Sequence, residues 1–323
     1  MRLMWLRTLL LMMALFACLN GAWAQTYPLR PVRFIVPFPP GGANDTIARL
    51  LAIPLTETLG QQFVIDNRGG ANTIIGTDLT AKASPDGHTI LIVPGSFAIN
   101  VSLYKKLPYD SVRDFTPVVM IGNGAYMIVV HPSLPVKSAA ELIALAKQKP
   151  AEIRYASSGV GNVTHLAAEL FNMMAGTKML HVPYKGGGPV MVDLLAGRVS
   201  VFFSTVSTAA SHVRSGKLRA IGATTAEPSA AFPDVPPVAR TGLPGYEVSG
   251  WYGILAPAGT PKAAIDTLNK ATRAALSKPE LKGKLLAVGV ESVDTTTGQF
   301  RQFLLVEMKK WDKVVKTLNI TAQ

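Results

Sequence analysis

Side chains that could bind a small anion are concentrated in glycine-rich loops of this chain. The loop at 157–165 carries hydroxyl, amide and imidazole groups beside two glycines. Its candidate ligand-binding residues are Ser157, Ser158, Gly161, Asn162, Thr164 and His165. Hydroxyl and amide groups, together with backbone N–H groups at the start of a helix, favour a carboxylate or a phosphate. The loop therefore predicts a site for a small anion.

A second loop near the N-terminus has the same arrangement. Prolines stiffen the approach to a pair of glycines, and apolar residues at helical spacing follow. Its candidate ligand-binding residues are Phe38, Pro40, Gly41, Gly42, Asn44 and Asp45. Asn44 or Asp45 can serve as the N-cap of the helix. Because a carboxylate repels an anion, we expect Asp45 to hold the Gly41–Gly42 turn rather than to neutralise a ligand.

A third glycine-rich loop follows a predicted strand at Met179–Val182. It contributes Lys185 and Gly186 to the candidate set, and Pro189 is expected at the first helical position. Ser96 and Ser204, each just after a predicted strand, complete the set. Two of the three loops are close in sequence and one is far upstream, which suggests two lobes that face each other.

The first residues read as a secretory signal. Arg2 and Arg7 precede an apolar run at Leu9–Leu19, and Ala22–Ala24 matches a small-residue cleavage site. The run is shorter than the ~20 residues that a membrane span needs. We expect residues 1–24 to be removed, so that the mature protein begins at Gln25 and is periplasmic.

Cys18 is the only cysteine among the 323 residues. It could carry a lipid in a loosely matching acylation box, which is the alternative to cleavage before Gln25. Otherwise the mature chain has no thiol, which excludes disulfides, thiol catalysis and cysteine metal sites. The net charge of +12 is spread along the chain and not clustered, so it does not indicate nucleic-acid binding. An attraction for small anions, or a general habit of exported proteins, would explain it.

Strand and helix signals alternate, which is typical of an α/β fold. The predicted strands are Val32–Val36, Phe63–Ile65, Thr89–Val93, Tyr126–Val130, Ile153–Ala156, Met179–Val182, Val199–Phe203, Leu218–Ala223 and Trp251–Ala256. We expect two lobes, each a mostly parallel sheet flanked by helices, with a cleft and a hinge between them. Lobe 1 comprises 25–124 plus 224–323, and lobe 2 comprises 125–223. Pro54 should kink or end the first helix.

Catalytic and metal motifs are weak. Gly159-Val160-Gly161 approximates a dinucleotide fingerprint without its third glycine. His165 and Glu169 lie one helical turn apart and could hold a metal with His181, but this spacing is common. We predict neither a cofactor nor a metal. The alternative function is an exported hydrolase or transferase that uses Ser157 or Ser158, with His165 as the base.

Motifs along the whole mature chain resemble the Bug-type solute-binding proteins of tripartite tricarboxylate transporters. The matching segments are Pro37–Gly42, Asp66–Arg68, Ser84–Gly87, Leu107–Asp110, Ser157–Gly159, His181–Gly186, Gly216–Arg219 and Ala256–Pro261. The resemblance implies a two-lobed, monomeric periplasmic binding protein, type II-like, that is not an enzyme. It also implies that backbone amides and small hydroxyls of the 38–45 and 157–165 loops hold a small carboxylate for a membrane permease.

Two positions depart from the family pattern. The loop at 69–73 has fewer glycines than usual, and Arg240 stands where an acidic residue is common. Neither is expected in the cleft. The resemblance leaves the ligand open among aliphatic dicarboxylates, acidic amino acids and aromatic acids.

Overall fold

The computed structural model describes residues 27–317 and residue 320. The predicted signal, its cleavage site and Cys18 lie outside these residues. None of the helices between residues 27 and 317 combines the length and the apolar character that a membrane crossing requires.

Eleven strands form two sheets in the described part of the chain. The strands are β1 Val32–Val36, β2 Phe63–Asn67, β3 Thr89–Pro94, β4 Phe115–Gly124, β5 Tyr126–Val130, β6 Arg154–Ser157, β7 Leu180–Pro183, β8 Val201–Thr205, β9 Arg219–Ala223, β10 Gly250–Pro257 and β11 Val290–Ser292. The first sheet has the order β11-β4-β10-β3-β1-β2, and the second has the order β7-β6-β8-β5-β9.

Helices flank both sheets. They are α1 Ala43–Leu59, α2 Ile74–Ala81, α3 Ser96–Leu103, α4 Ala139–Gln148, α5 Val163–Ala175, α6 Gly187–Leu195, α7 Val206–Arg214, α8 Val238–Thr241, α9 Lys262–Ser277, α10 Pro279–Ala287 and α11 Thr297–Thr317. The predicted α/β class and the architecture of two sheets flanked by helices are confirmed.

The sheets are mixed, so the expectation of mostly parallel sheets is wrong. In the first sheet β1 pairs in parallel with β2 and β3, as the βαβαβ pattern predicts, whereas β10 runs antiparallel to β3 and β4. In the second sheet β6 is parallel to β7 and β8, but β5 is antiparallel to β8 and β9. The reason is topological. The chain leaves the first sheet at the end of β4 and re-enters it at the start of β10, so β10 must run against its neighbours.

Most predicted strands appear within one or two residues of their expected bounds. Six elements were missed: the strands β4 and β11, and the helices α3, α7, α8 and α10. Pro54 does not end the first helix, because α1 continues past it to Leu59. Leu51 and Leu55 on either side of Pro54 are fully buried, and their packing stabilises a helix that has lost one backbone hydrogen bond.

The chain passes between the two sheets at Ala125, which separates β4 from β5. The Ala125 N–H donates to Gly289 O at 2.9 Å, and Ala125 O accepts from Val206 N–H at 3.0 Å. On the return path the Tyr246 hydroxyl donates to Ala167 O of α5. We propose that the two sheets mark two lobes with crossings near 125 and 249, since the segment around Tyr246 packs on the second sheet's helices.

Candidate anion-binding site

The loops that follow β1 and β7 meet between the two sheets. A Cβ atom built on Gly188 would lie 2.6 Å from Pro40 O, and one on Gly42 would lie 3.9 Å from Gly187 N and Gly188 N. At position 188 the backbones can approach this closely only because the residue is glycine, whereas a Cβ at position 42 would be in ordinary van der Waals contact. The cleft between the sheets is therefore closed on this side by glycine-to-backbone contact.

A cavity of about 30 Å³ lies behind this contact. This volume suits a group about the size of a water molecule or the head of a small acid. It is bounded by the first residues of five helices, α1, α3, α5, α6 and α7. The polar lining residues are Asn44, Ser96, Tyr126, Ser158, Asn162, Thr164, Thr205, Thr208 and Tyr252. We call this space the inner cavity.

Three of these helices begin at glycines that cannot cap them. The N-cap residues of α1, α3 and α6 are Gly42, Gly95 and Gly186, and none of these helices has a side-chain cap. By contrast, Asn162 caps α5 by accepting from Thr164 N–H, and Thr205 caps α7 by accepting from Thr208 N–H. Uncapped first turns leave backbone N–H donors and the positive end of the helix dipole directed at the inner cavity.

Two buried side-chain atoms at the inner cavity have no hydrogen-bond partner. They are Ser96 Oγ, on a fully buried residue, and Asn44 Oδ1, on a residue that is 6% exposed. An unsatisfied buried polar group costs free energy, so such atoms indicate a missing partner. Ser96 Oγ can donate to an anion. Asn44 Oδ1 cannot, and it would need a ligand hydroxyl, a water or an inverted amide.

The electrostatics of the inner cavity come from dipoles and not from full charges. Among the described residues, no charged side chain lines it. Burial raises the pKa of Tyr126 and Tyr252, so both hydroxyls stay protonated and can donate. The cavity is therefore a concentration of neutral donors around a space the size of one small group.

A second cavity of about 490 Å³ lies on the open side of the inner one. Phe38 and Ser158 line both, so the two spaces adjoin. The outer cavity is walled by Tyr104 and Tyr184, and Lys185 is the one charged residue in its described lining. A ligand head that occupies the inner cavity could extend its remaining atoms into this larger space.

Eight of the sixteen predicted site residues line these two cavities. The set is Phe38, Gly42, Asn44, Ser96, Ser158, Asn162, Thr164 and Lys185. The fold thus brings residues between positions 38 and 185 together around the two cavities. The common feature is that most of them sit at the end of a strand or in the first turn of the next helix.

The other predicted residues lie near the cavities without lining them. Pro40 and Gly41 face a groove on the outer surface. Gly161 packs against Leu103, and Gly186 packs against the ring of Pro39. The remaining four positions are fully or mostly buried: Asp45, Ser157, His165 and Ser204, the last with its hydroxyl donating to Thr205 O.

Asp45 braces the first turn of α1 and does not cap it. Gly42 is the N-cap, so the expectation that Asn44 or Asp45 would cap is wrong. Asp45 instead reaches back to accept from Gly41 N–H at 3.1 Å, from Asn67 Nδ2 at 3.0 Å and from Arg49 Nε at 3.1 Å. Burial alone would raise the pKa of Asp45, but the Arg49, Gly41 and Asn67 hydrogen bonds and the Arg49 charge lower it.

His165, which is buried, and His181, which is half-buried, stack beside α5. Their ring centroids are 4.0 Å apart, and Ser157 Oγ lies 2.6 Å from His181 Nε2. His165 Nδ1 accepts from Gly161 N–H at 3.1 Å. Burial lowers the pKa of both imidazoles to about 4, and at His181 the neighbouring His165 adds to the effect. The neutral rings support the loop at 157–161 from behind.

Several lining residues were missed from the sequence. Thr205 and Thr208 follow β8 with the spacing of a capping pair, a signal that could have been used. Asn72 lies in a loop set aside as remote from the cleft, yet it lines the outer cavity. In the sequence, Tyr126 and Tyr252 look like ordinary strand residues. They line the inner cavity only because the fold brings the starts of β5 and β10 together there.

Comparison with known families gives a consistent result. The family model described as "Tripartite tricarboxylate transporter family receptor" matches residues 47–320. Protein BugT of Bordetella pertussis is 40% identical over 295 residues, which cover 91% of this chain and 90% of that protein.

Solved structures of the same kind superpose closely. R. palustris Rpa4515 with adipate has a TM-score of 0.89 at 36% identity, covering 91% of this chain and 99% of its own. The periplasmic binding protein BugD has a TM-score of 0.88 at 32% identity, with coverage of 92% and 100%. MatC from Rhodopseudomonas palustris with bound malate has a TM-score of 0.84 at 31% identity, with coverage of 90% and 100%.

Replacement of Asp45 tests its bracing role. Asp45→Ala should lower the free energy of unfolding by about 1–2 kcal/mol, because the Gly41 N–H and the Asn67 amide lose their acceptor. Asp45→Asn keeps one oxygen and should cost less. Asp266→Ala, which removes an exposed ion pair with Lys262, is the control and should change stability by under about 0.5 kcal/mol. Equal effects of Asp45→Ala and Asp266→Ala in urea melts would contradict this role.

The histidine stack predicts a pH dependence of stability. The folded-state pKa values of about 4 are below the ordinary value of 6.5, so the unfolded chain takes up protons first as the pH falls. Stability should therefore decline between pH 6.5 and pH 4. In urea melts across this range, His181→Gln should flatten the decline. His212→Gln, outside the stack, should leave the slope as in the wild type, and an unchanged slope in His181→Gln would refute the assignment.

Proposed function

The chain belongs to the tripartite tricarboxylate transporter receptor family, and we propose that it captures one small carboxylate between its two lobes for uptake or sensing. The observation that carries this proposal is the inner cavity, where five helix starts surround a buried hydroxyl that lacks a partner. The family and its solved members are solute-binding receptors, which agrees with this reading.

The head of the ligand is a carboxylate bound by neutral donors. Backbone N–H groups at the uncapped turns of α1, α3 and α6, with the hydroxyls of Ser96 and Ser158, would take the place of its hydration shell. Each hydrogen bond to a charged group contributes about 1.5–3 kcal/mol. A neutral amide has the same size but no charge for these dipoles to stabilise, so it should bind far more weakly.

The remainder of the ligand occupies the outer cavity. Its aromatic walls suit a hydrocarbon chain or a ring, and Lys185 suits a second acidic group. No acidic side chain lines either cavity in the described part of the chain, so an α-ammonium group would lack a charged partner. This favours an aliphatic dicarboxylate or an aromatic acid over an acidic amino acid. Related structures hold adipate and malate, which fits an acid with two ends.

A periplasmic location and delivery to a membrane permease are parts of the same proposal. Solved relatives include a periplasmic binding protein, and the N-terminal sequence has the features of a secretory signal. The proposed ligand-binding set combines the eight predicted residues that line the cavities with Thr205 and Thr208.

We also propose that the protein is not an enzyme. A hydrolase would need a serine that meets both a base and the substrate. Ser157 contacts His181, but Ser157 is fully buried and lines neither cavity. Ser158 lines both cavities, while the nearby His165 is engaged with Gly161 N–H. The serine next to a base and the serine next to the ligand space are therefore different residues.

A panel of acids tests the proposal. Adipate, malate, succinate and benzoate are titrated by calorimetry and thermal melts, with adipamide and glutamate as matched controls. A bound acid at a hundredfold excess over its Kd should raise the free energy of unfolding by about 2.7 kcal/mol. The amide should give no shift. Stabilisation by a nucleotide or a metal ion with no response to any acid would rule out the carboxylate receptor.

Ser96→Ala should separate binding from folding. Removal of the unpartnered buried hydroxyl should leave the free energy of unfolding unchanged or higher, since no internal hydrogen bond is lost. Affinity for the bound acid should fall by about 1.5–3 kcal/mol, the contribution of one hydrogen bond to a charged group.

Ser102→Ala on the same helix is the matched control for Ser96→Ala. Ser102 Oγ donates to Asp312 at 2.9 Å, away from the cavities, so this change should reduce stability slightly and leave affinity intact. Unaltered affinity in Ser96→Ala would remove this hydroxyl from the site.

A further inference from the structure

Three consecutive residues before α2 have left-handed backbone conformations. The φ angles are 45° at Ala71, 48° at Asn72 and 79° at Thr73. Asparagine tolerates this region, but for a β-branched residue such as threonine it is a strained conformation. Such a run persists only where its surroundings fix it.

The contacts that fix this run come from Asn100 on α3. Asn100 is fully buried, and its Nδ2 donates to Asn72 O at 2.8 Å and to Thr73 Oγ1 at 3.3 Å. Asn72 Nδ2 donates back to Asn100 Oδ1 at 2.8 Å. Asn100, on a helix that flanks the first sheet, thereby holds the Asn72 side chain in one orientation.

The held side chain reaches the second sheet's side of the cleft. Asn162 Nδ2 donates to Asn72 Oδ1 at 3.4 Å, a long hydrogen bond between side chains 90 positions apart. Asn162 is the N-cap of α5, and its own Oδ1 accepts from Thr164 N–H at 3.1 Å. Asn162 and Thr164 both line the inner cavity. Asn72 therefore touches the turn that encloses the ligand head.

The same helix links the two ends of this arrangement. Ser96, with its unpartnered hydroxyl in the inner cavity, and Asn100, which holds Asn72, are four residues apart on α3 and lie on one face. A ligand that hydrogen-bonds to Ser96 therefore contacts α3, the helix whose Asn100 orients Asn72 toward Asn162.

We propose that Asn72 is a positioning residue that holds the closed cleft over the bound acid and sets how long that acid stays. The proposal rests on the carboxylate-receptor function. Asn72 acts through Asn162, and it bonds to the cap of α5 only when the lobes are together. Its loss should speed release without selecting among ligands.

Asn72→Gly is the primary test. Glycine accepts the left-handed conformation, so the loop can keep its path while the contact across the cleft is lost. Dissociation of adipate and of malate, measured by stopped-flow, should become about two- to tenfold faster, by the same factor for both acids. A factor that differs between the two acids would show that Asn72 touches the ligand directly, and an unchanged rate would overturn the proposal.

Ala151→Gly is the matched control. Ala151 is also left-handed, with φ 62°, and it lies exposed in the loop before β6, away from both cavities. The substitution relieves the same kind of backbone conformation but removes no contact across the cleft. Dissociation rates should stay as in the wild type, and a comparable acceleration would attribute the Asn72→Gly effect to backbone freedom alone.

A double-mutant cycle that combines Asn72→Gly with Asn162→Ser tests whether Asn72 affects the dissociation rate through Asn162. Serine retains the capping oxygen for α5 but lacks the amide that donates to Asn72. The Asn72→Gly effect on dissociation should shrink in the Asn162→Ser background, while unfolding free energies should add. If the two substitutions were non-additive in the unfolding free energy but additive in the dissociation rate, Asn72 would have only a structural role.

A ligand-free measurement keeps the test independent of ligand identity. Spin labels attached after the substitutions Glu57→Cys and Lys147→Cys, at exposed positions in the two proposed lobes, report the lobe separation. Asn72→Gly, or Asn162→Ser if the first variant fails to fold, should shift the distances toward the open form. If no acid binds the wild type, the proposed function fails. Distances identical to those of the wild type would overturn the role of Asn72.

Discussion

The arrangement of this molecule depends on polar groups that the chain itself cannot satisfy. Helices α1, α3 and α6 begin at glycines, so their first-turn N–H groups have no side-chain cap, and all three point into a cavity of about 30 Å³. Burying such donors without an acceptor costs several kcal/mol in total. An anion removes this cost by serving many donors at once. Closure of the cleft and ligand binding are thereby made favourable together.

The same constraint explains why no lysine or arginine lines the inner cavity among the residues that the structure describes. A buried lysine or arginine would bind an anion strongly, but in the empty protein it would be an uncompensated charge, which is costlier than neutral donors. Helix dipoles and hydroxyls are fixed in place and need little reorganisation. Lys185 can remain charged because it is exposed to solvent at the outer cavity.

The sequence predicted the elements better than the side-chain partners. Strand-turn-helix signals placed Gly42, Ser158 and Asn162 in turns after strands, which is a local property, and the structure brings these turns to one cavity. The sequence could not show that Asp45 turns away toward Asn67, nor that β10 runs against β3, since both follow from contacts between distant segments. Asn72 was overlooked because its loop departs from the usual glycine-rich pattern. In the structure, the Asn72 side chain at this position accepts a hydrogen bond from Asn162 across the cleft.

The two cavities divide the recognition problem. The inner one is too small and too uniform to distinguish acids by anything except a carboxylate head, while the outer one is roomy and carries the varied side chains Tyr104, Tyr184 and Lys185. In the receptor function that we propose, affinity comes largely from the carboxylate head, which all acids share, and selectivity comes from the rest of the ligand. A change of ligand during evolution would need new residues only in the outer cavity. The helix starts, the glycine contacts and the closed cleft could stay as they are.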